Sequence, residues 1–239
     1  MHQAATTGSA NRGCVVTLAI LGGGVRSAAW YYQALQQELT AAHGALHEQT
    51  VVLWSMPFGA INECLPHDMV QASRLLAGHC AQLVDTIGSP YTLANITLHE
   101  AFDQMPARLA GYGEPVHLRD VINHYWPAQR QRAFVLGTRH TMKAGYLRSL
   151  FAQHAVDWQT ADAHDLAAID ALRRELFVND AHATAQHVLH VLQAKYPTVN
   201  QWIVGCTELA LAVPAAPPAM TFFHVPQLQC RLLAAQARR

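Results

Sequence analysis

Val15-Val16-Thr17-Leu18-Ala19-Ile20-Leu21-Gly22-Gly23-Gly24 is the stretch on which the fold turns. A short, unbroken apolar run rich in β-branched residues has the length of a buried strand. It stops at three glycines, and residues 27–39 then carry helix character. Strand, glycine turn and helix in that order open a parallel α/β fold. Val51-Val52-Leu53-Trp54-Ser55 predicts a second strand, and residues 67–86 show helical periodicity through Met69, Leu75, Leu76, Cys80, Leu83 and Val84. Tyr91 to Ile96 predicts a third strand, with a helix after His99.

The series restarts near residue 130. Arg132-Ala133-Phe134-Val135-Leu136-Gly137 is another apolar run ending in glycine, followed by Thr138-Arg139-His140-Thr141 and a helical segment over 143–153. Helices are expected at about 162–176 and 181–194, and strands at 201–205 and 220–224. Two strand–helix series imply two pseudo-symmetric α/β lobes of parallel-sheet, flavodoxin-like architecture, with strand ends lining a cleft between them. The expected division is a disordered lead-in over 1–12, a first lobe of 13–118 plus 219–239, and a second lobe of 119–218. Residues 119–127 would pass between lobes, and the Ala/Pro-rich stretch 214–218 would lead back. No repeat of 20–50 residues is visible.

Composition narrows the function. Hydrophobic residues are 51% and charged residues 13%, which suits a well-buried globular chain. Sixteen Lys+Arg balance sixteen Asp+Glu, so there is no basic field to hold nucleic acid or an anionic membrane. The fifteen histidines read as solvated positions or compositional bias. No apolar run reaches the roughly 18–20 residues that span a bilayer, and the first twelve residues lack the apolar core of a signal peptide. Cysteines 14, 64, 80, 206 and 230 are odd in number and show neither a CxxC pair nor zinc-ligand spacing. The expectation is a reduced, cytoplasmic protein with free thiols and no metal.

Cys206 carries most of the chemistry. In Trp202-Ile203-Val204-Gly205-Cys206-Thr207-Glu208-Leu209 an apolar strand ends at a small residue and then a thiol, where the next N–H groups can open a helix. A thiol at that place is expected to feel the positive end of a helix dipole, with a lowered pKa and a larger thiolate fraction. The other four cysteines match no motif.

Five segments in order carry a resemblance: Leu21-Gly22-Gly23-Gly24, Leu53-Trp54-Ser55, Asn95-Ile96-Thr97-Leu98-His99, Gly137-Thr138-Arg139-His140-Thr141-Met142 and Gly205-Cys206-Thr207-Glu208-Leu209. From about residue 15 to 230 the chain resembles the aspartate/glutamate racemase superfamily, in its amino-acid racemase branch. The resemblance implies a cofactor-free mechanism in which two acid/base residues, one per lobe, work on opposite faces of the substrate α-carbon. It also implies a homodimer. The usual pair is two cysteines. The second falls on Cys206, and the first falls on Asn95, with the substrate-binding asparagine on Ile96. An amide has no usable proton affinity near neutral pH, so Asn95 is not a general base, although it can hydrogen-bond a carboxylate or enolate oxygen.

In this register the candidate catalytic residues are Cys206, Asn95 and His99, the last as a proton relay or strand-loop anchor. The candidate substrate-binding residues are Gly23, Gly24, Arg26, Ser55, Thr97, Thr138, Arg139, Thr141, Thr207 and Glu208. Three readings stay open. One is a racemase or epimerase of an acidic amino acid or close analogue. Another is a single-cysteine decarboxylase or cis–trans isomerase of a dicarboxylate, and the third a non-catalytic ligand-binding relative. All three imply a small carboxylate as partner.

Overall fold

A computed structural model describes residues 17–47, 49–88, 90–105, 113–143 and 145–237. The lead-in, Cys14 and the start of the first apolar run lie outside the described residues. Two all-parallel sheets organise the rest. The first holds β1 (Thr17–Gly22), β2 (Thr50–Ser55) and β3 (Tyr91–Leu93) in the order β2-β1-β3. The second holds β4 (Gln131–Gly137), β5 (Val156–Gln159), β6 (Gln201–Gly205) and β7 (Phe222–His224) in the order β5-β4-β6-β7. Each sheet therefore begins with its second strand outside its first and its third on the other side. In a doubly wound sheet of this order, ligands sit where the winding reverses, beyond the carboxyl ends of the first and third strands.

The helices follow from the apolar spacing. α1 (Val25–His43) connects β1 to β2, and α2 (Gly59–Cys64) and α3 (Met69–Ile87) lead to β3. α4 (Ile96–Asp103) and α5 (Leu118–Tyr125) complete the first half. In the second half, α6 (Arg139–Lys143) and α7 (Gly145–Leu150) follow β4, and α8 (Ala163–Val178) and α9 (His182–Lys195) follow β5. α10 (Thr207–Ala210) follows β6, and α11 (Val225–Gln236) closes the chain. Asp68 and Asp162 cap α3 and α8 by accepting from Gln71 N and Asp165 N.

β1 is buried on both faces, as a central parallel strand should be. Leu18 and Ile20 enter a large core that continues through Tyr31, Leu35, Val121 and Cys230 into Phe134 and Trp202 of the second sheet. Ala19 and Leu21 point the other way, onto Leu76, Cys80 and Leu98. One apolar body thus joins the two lobes behind their strand ends.

Two expectations need correction, and two segments gain a form the sequence did not announce. Phe222–His224 pairs with β6, so it belongs to the second sheet, and the return to the first lobe is made by α11 against α1 and α5. Residues 119–127, expected as the passage between lobes, take the form of the helix α5 between α4 and β4, because Leu118, Val121 and Ile122 give it a buried face. β3 ends at Leu93, and α4 begins at Ile96, so His99 lies inside that helix and not before it. β5 is an edge strand, half-buried along its length and of mixed polarity, with no apolar run to announce it.

Candidate active site

The carboxyl ends of β1, β3, β4 and β6 converge on a cleft of about 620 Å³. Gly24 and Ser27 enter it from the start of α1, and Asn95, Ile96 and Thr97 from the start of α4. Thr138, Arg139, His140 and Thr141 come from the start of α6, and Gly205, Cys206, Thr207 and Glu208 from the turn into α10. Phe58, Asn62, Leu65, Pro66 and His67 form a wall from the first lobe, and Asp170, Arg173 and Phe177 one from α8.

The two strand tips that face this cleft are built alike. Asn95 follows β3 as the N-cap of α4 with φ −164° and ψ 127°, and Cys206 follows β6 as the N-cap of α10 with φ −153° and ψ 136°. β3 and β6 hold the same place in their sheets, so the two residues are equivalent across the pseudo-symmetry. Their side chains diverge. Asn95 Oδ1 accepts from Thr97 N at 2.9 Å and Leu98 N at 3.3 Å, so the carbonyl is spent on capping. Its NH2 makes no hydrogen bond among the described residues. Cys206 is 6% exposed, and its thiol donates to Glu208 Oε2 at 2.8 Å. The Thr207 hydroxyl donates to the same oxygen at 3.4 Å.

The expected thiol acidity is reversed. Burial first, and then the Glu208 carboxylate, push the Cys206 pKa well above the usual thiol range, while the N–H groups of Glu208 and Leu209 pull the other way and lose. A four-residue helix sums few peptide dipoles, so its N-terminus is a weak counterweight. The thiol is protonated at rest and shares its corner with an acceptor.

Two tips leave little room for a side chain. A Cβ on Gly137 would stand 2.9 Å from Thr141 Cβ, and one on Gly205 would stand 3.2 Å from Thr141 Cγ2. Thr141 is thereby seated across β4 and β6. Its hydroxyl meets Thr138 Oγ1 at 2.9 Å, and its N–H donates to the same oxygen at 3.1 Å. These hydroxyls cap α6 and hold each other at the cleft edge. Across the cleft, Gly24 is the N-cap of α1 with no side-chain cap, and no acid occupies the first turn. The first amides of a 19-residue helix are thus left open at the site.

Four sequence candidates lie elsewhere. His99 is fully buried behind β3, where Gln229 Nε2 meets its Nε2 at 2.8 Å and its ring packs edge-on against His117. Burial and the His117 neighbour hold it neutral, with a pKa well below the usual histidine range. It anchors α4 to α11 and touches no cleft space, so the relay expectation is overturned. Arg26 turns to Asp180 at 2.9 Å, an exposed pair that links α1 to the α8–α9 connection. Ser55 is exposed at the tip of β2, beside Gly22. Gly23 is covered by Phe58, whose ring a Cβ would meet at 2.6 Å.

The structure adds residues that sequence reading missed. Asp170 is bordered by three guanidiniums: Arg173 at 3.2 Å, Arg139 at 3.6 Å and Arg174 at 3.6 Å. The i, i+3 and i, i+4 spacing of Asp170 to Arg173 and Arg174 was readable, whereas Arg139 comes from another element. One carboxylate against three cations leaves this wall positive. His140 Nε2 meets Glu100 Oε2 at 2.8 Å across the lobes, a contact between residues forty apart that no local pattern signals. Among the described residues, one cluster has metal-ligand spacing, Asp162, His164 and Asp165. It lies at the start of α8, outside the cleft, and Lys195 already holds both of its carboxylates.

Solved structures share this fold. A candidate Asp/Glu racemase from Yersinia pestis superposes with a TM-score of 0.73 at 24% identity, over 94% of this chain and 100% of that one. The chain shares its fold with the aspartate and glutamate racemases. An aspartate racemase homologue from Pyrococcus horikoshii gives 0.73 at 17% identity, over 93% and 99% of the two chains. The glutamate racemase of Francisella tularensis, solved with D-glutamate, gives 0.61 at 11% identity over 93% and 80%. No protein-family model matches the chain. Among the described residues, no helix is long and apolar enough to cross a membrane.

Proposed function

We propose that the protein is a racemase or epimerase of an acidic amino acid or a close analogue, working by proton transfer at the α-carbon with Cys206 as acid/base and no bound cofactor. The observation that carries the reading is the Cys206–Glu208 pair at the tip of β6, open to a cleft between two lobes whose other tip presents Asn95. A sulfur there can accept or deliver a proton at a carbon held between the lobes. The carboxylate of the substrate lies best against the open amides of α1 and the Asn95 NH2, donors that strengthen as charge moves onto it. Glu208 is the natural partner of the substrate ammonium. Its arrival offsets the carboxylate charge that keeps the thiol protonated, so binding itself favours the thiolate.

The positive wall of Arg139 and Arg173 supports an acidic or carbonyl-bearing distal group. Ile96, Phe58, Leu65 and Phe177 add apolar surface that suits a longer or modified one. The chain has two lysines, Lys143 and Lys195, and neither lines the cleft, so the site offers no amine for a Schiff base. Cys64, Cys80, Cys206 and Cys230 are free thiols, in keeping with a reduced cytoplasmic protein, which we take to act as a homodimer. Asn95 favours a second reading, one-sided chemistry such as decarboxylation or cis–trans isomerisation of a dicarboxylate, because an amide supplies no proton. Circular dichroism of D- and L-glutamate and aspartate incubated with the protein separates the two. Loss of optical activity that stops in Cys206→Ser supports racemisation. Unchanged rotation, with turnover of maleate or a substituted malonate, supports the alternative.

A further inference from the structure

Racemisation needs a second proton-transfer group, and Asn95 cannot be it. Among the described residues, the titratable side chains that line the cleft are Cys206, Glu208, His67, His140, Asp170 and the guanidiniums of Arg139 and Arg173. Glu208 is tied to Cys206 on the same tip, and Asp170 is surrounded by three arginines. His67 is exposed, and its ring has no hydrogen bond among the described residues. His140 is different. Its side chain is 26% exposed, and its Nε2 is fixed by Glu100 Oε2 at 2.8 Å. Glu100 is carried by α4, whose first turn presents Ile96 and Thr97 to the cleft, so the ring leaves the second lobe and comes to rest against the first. Nδ1 has no hydrogen-bond partner among the described residues. A carboxylate that fixes one imidazole nitrogen orients the ring and leaves the other to exchange a proton.

We propose that His140, oriented by Glu100, is the second catalytic group and serves the substrate face opposite Cys206; this rests on the racemase reading. In one direction the Cα–H bond breaks, its proton forms a bond to the Cys206 sulfur, and the electron pair moves into the carboxylate as an enediolate. The Nδ1–H bond of the His140 imidazolium then breaks, and its proton bonds to Cα on the other face while the carboxylate is restored. Solvent water takes the thiol proton and returns one to His140. The reverse direction exchanges the two roles. Glu100 is a positioning residue, acting through the imidazole.

Enantiomer-resolved exchange in heavy water tests this with D- and L-aspartate and D- and L-glutamate. His140→Asn is expected to lose racemisation by at least ~100-fold, within the range for removal of a general acid–base group, while α-hydrogen exchange survives in the one enantiomer whose proton Cys206 removes. Imidazole added to His140→Ala is expected to restore part of the rate, which a merely structural contact would not allow. Glu100→Gln is expected to lower kcat with KM held, and Glu100→Asp to recover part of it. His140→Asn racemising at the wild-type rate, or losing exchange equally in both enantiomers, overturns the assignment and leaves the racemase reading standing. A wild-type protein that exchanges neither enantiomer overturns both.

Discussion

Glu208→Gln separates two charges that share one corner of the site. The Cys206 thiol and Glu208 Oε2 are 2.8 Å apart. A thiolate that close to a carboxylate would be repelled by about 6 kcal/mol at an effective dielectric of ~20, so the carboxylate strongly disfavours the thiolate. About 1.4 kcal/mol corresponds to one pKa unit. Solvent in the half-open cleft screens the pair, yet a quarter of the full repulsion is still one unit. Removing the carboxylate leaves burial as the main upward push on the thiol. The variant should therefore alkylate with iodoacetamide at Cys206 along a profile shifted at least about one pH unit lower. Near pH 7.5 that is a rate at least ~10-fold faster. Peptide-level mass spectrometry keeps Cys206 distinct from the other four cysteines. Turnover of the amino acid should move the other way, falling at least ~10-fold in kcat/KM, because an amide no longer receives the ammonium. An alkylation profile identical to wild type would refute the coupling of thiol to carboxylate on which the activation argument depends.

Other outcomes follow from the same packing. His224 is half-buried, stacks on Trp30 and caps α11 by accepting from Gln227 N, and desolvation holds its pKa down at about 4 against 6.5 when unfolded. Above about pH 6.5 this contribution to stability is fully present. As pH falls toward about 4 the unfolded chain takes the proton first, and up to about 3 kcal/mol is lost. His99 adds to the same trend. Urea melts across that window should steepen in this sense, and His224→Asn, which keeps a capping acceptor, should flatten them; parallel curves for the two proteins would contradict it. Gly205→Ala should cost roughly 1–3 kcal/mol through overpacking, since the new Cβ meets Thr141 Cγ2 at 3.2 Å and Val135 Cγ1 at 3.3 Å. Adding Thr141→Ser, which deletes that methyl, should recover part of the loss in thermal melts, and strict additivity of the two changes would argue against the contact. Activity should survive treatment with hydroxylamine followed by dialysis, which strips carbonyl cofactors; its loss would show that a carbonyl group takes part.

What the sequence revealed was local. The glycine turn after β1, the Gly-Thr-Arg segment after β4 and the Gly-Cys-Thr-Glu segment after β6 are each a strand end, a tight turn and a helix start within a few residues, so neighbouring positions suffice to read them. Cys206 was legible for the same reason, as a residue between a strand and a helix, whereas Asn95 was placed inside the third strand and was singled out only by the resemblance. What failed was decided by contacts distant in the chain. His99 has a plausible place by position, yet Gln229, 130 residues away, draws it into the interior. Arg26 has a place in a glycine loop, yet Asp180 holds it at the rim. β5 escaped notice because an edge strand with Asp157 and Gln159 has no continuous apolar face. β7 was seen as a strand, but its sheet is chosen by pairing with β6 and not by anything in Phe222–His224 itself. The acidity of Cys206 failed for an energetic reason: desolvation outweighs the dipole of a single helical turn.

The most direct measurement is the α-proton signal of D- and L-aspartate and D- and L-glutamate in heavy water, followed by NMR with protein present. The account predicts that the signal of both enantiomers of at least one of these acids disappears as deuterium enters, and that Cys206→Ser slows this by at least ~100-fold. An α-proton that persists with the wild-type protein, or that washes out equally fast without the sulfur, would contradict it.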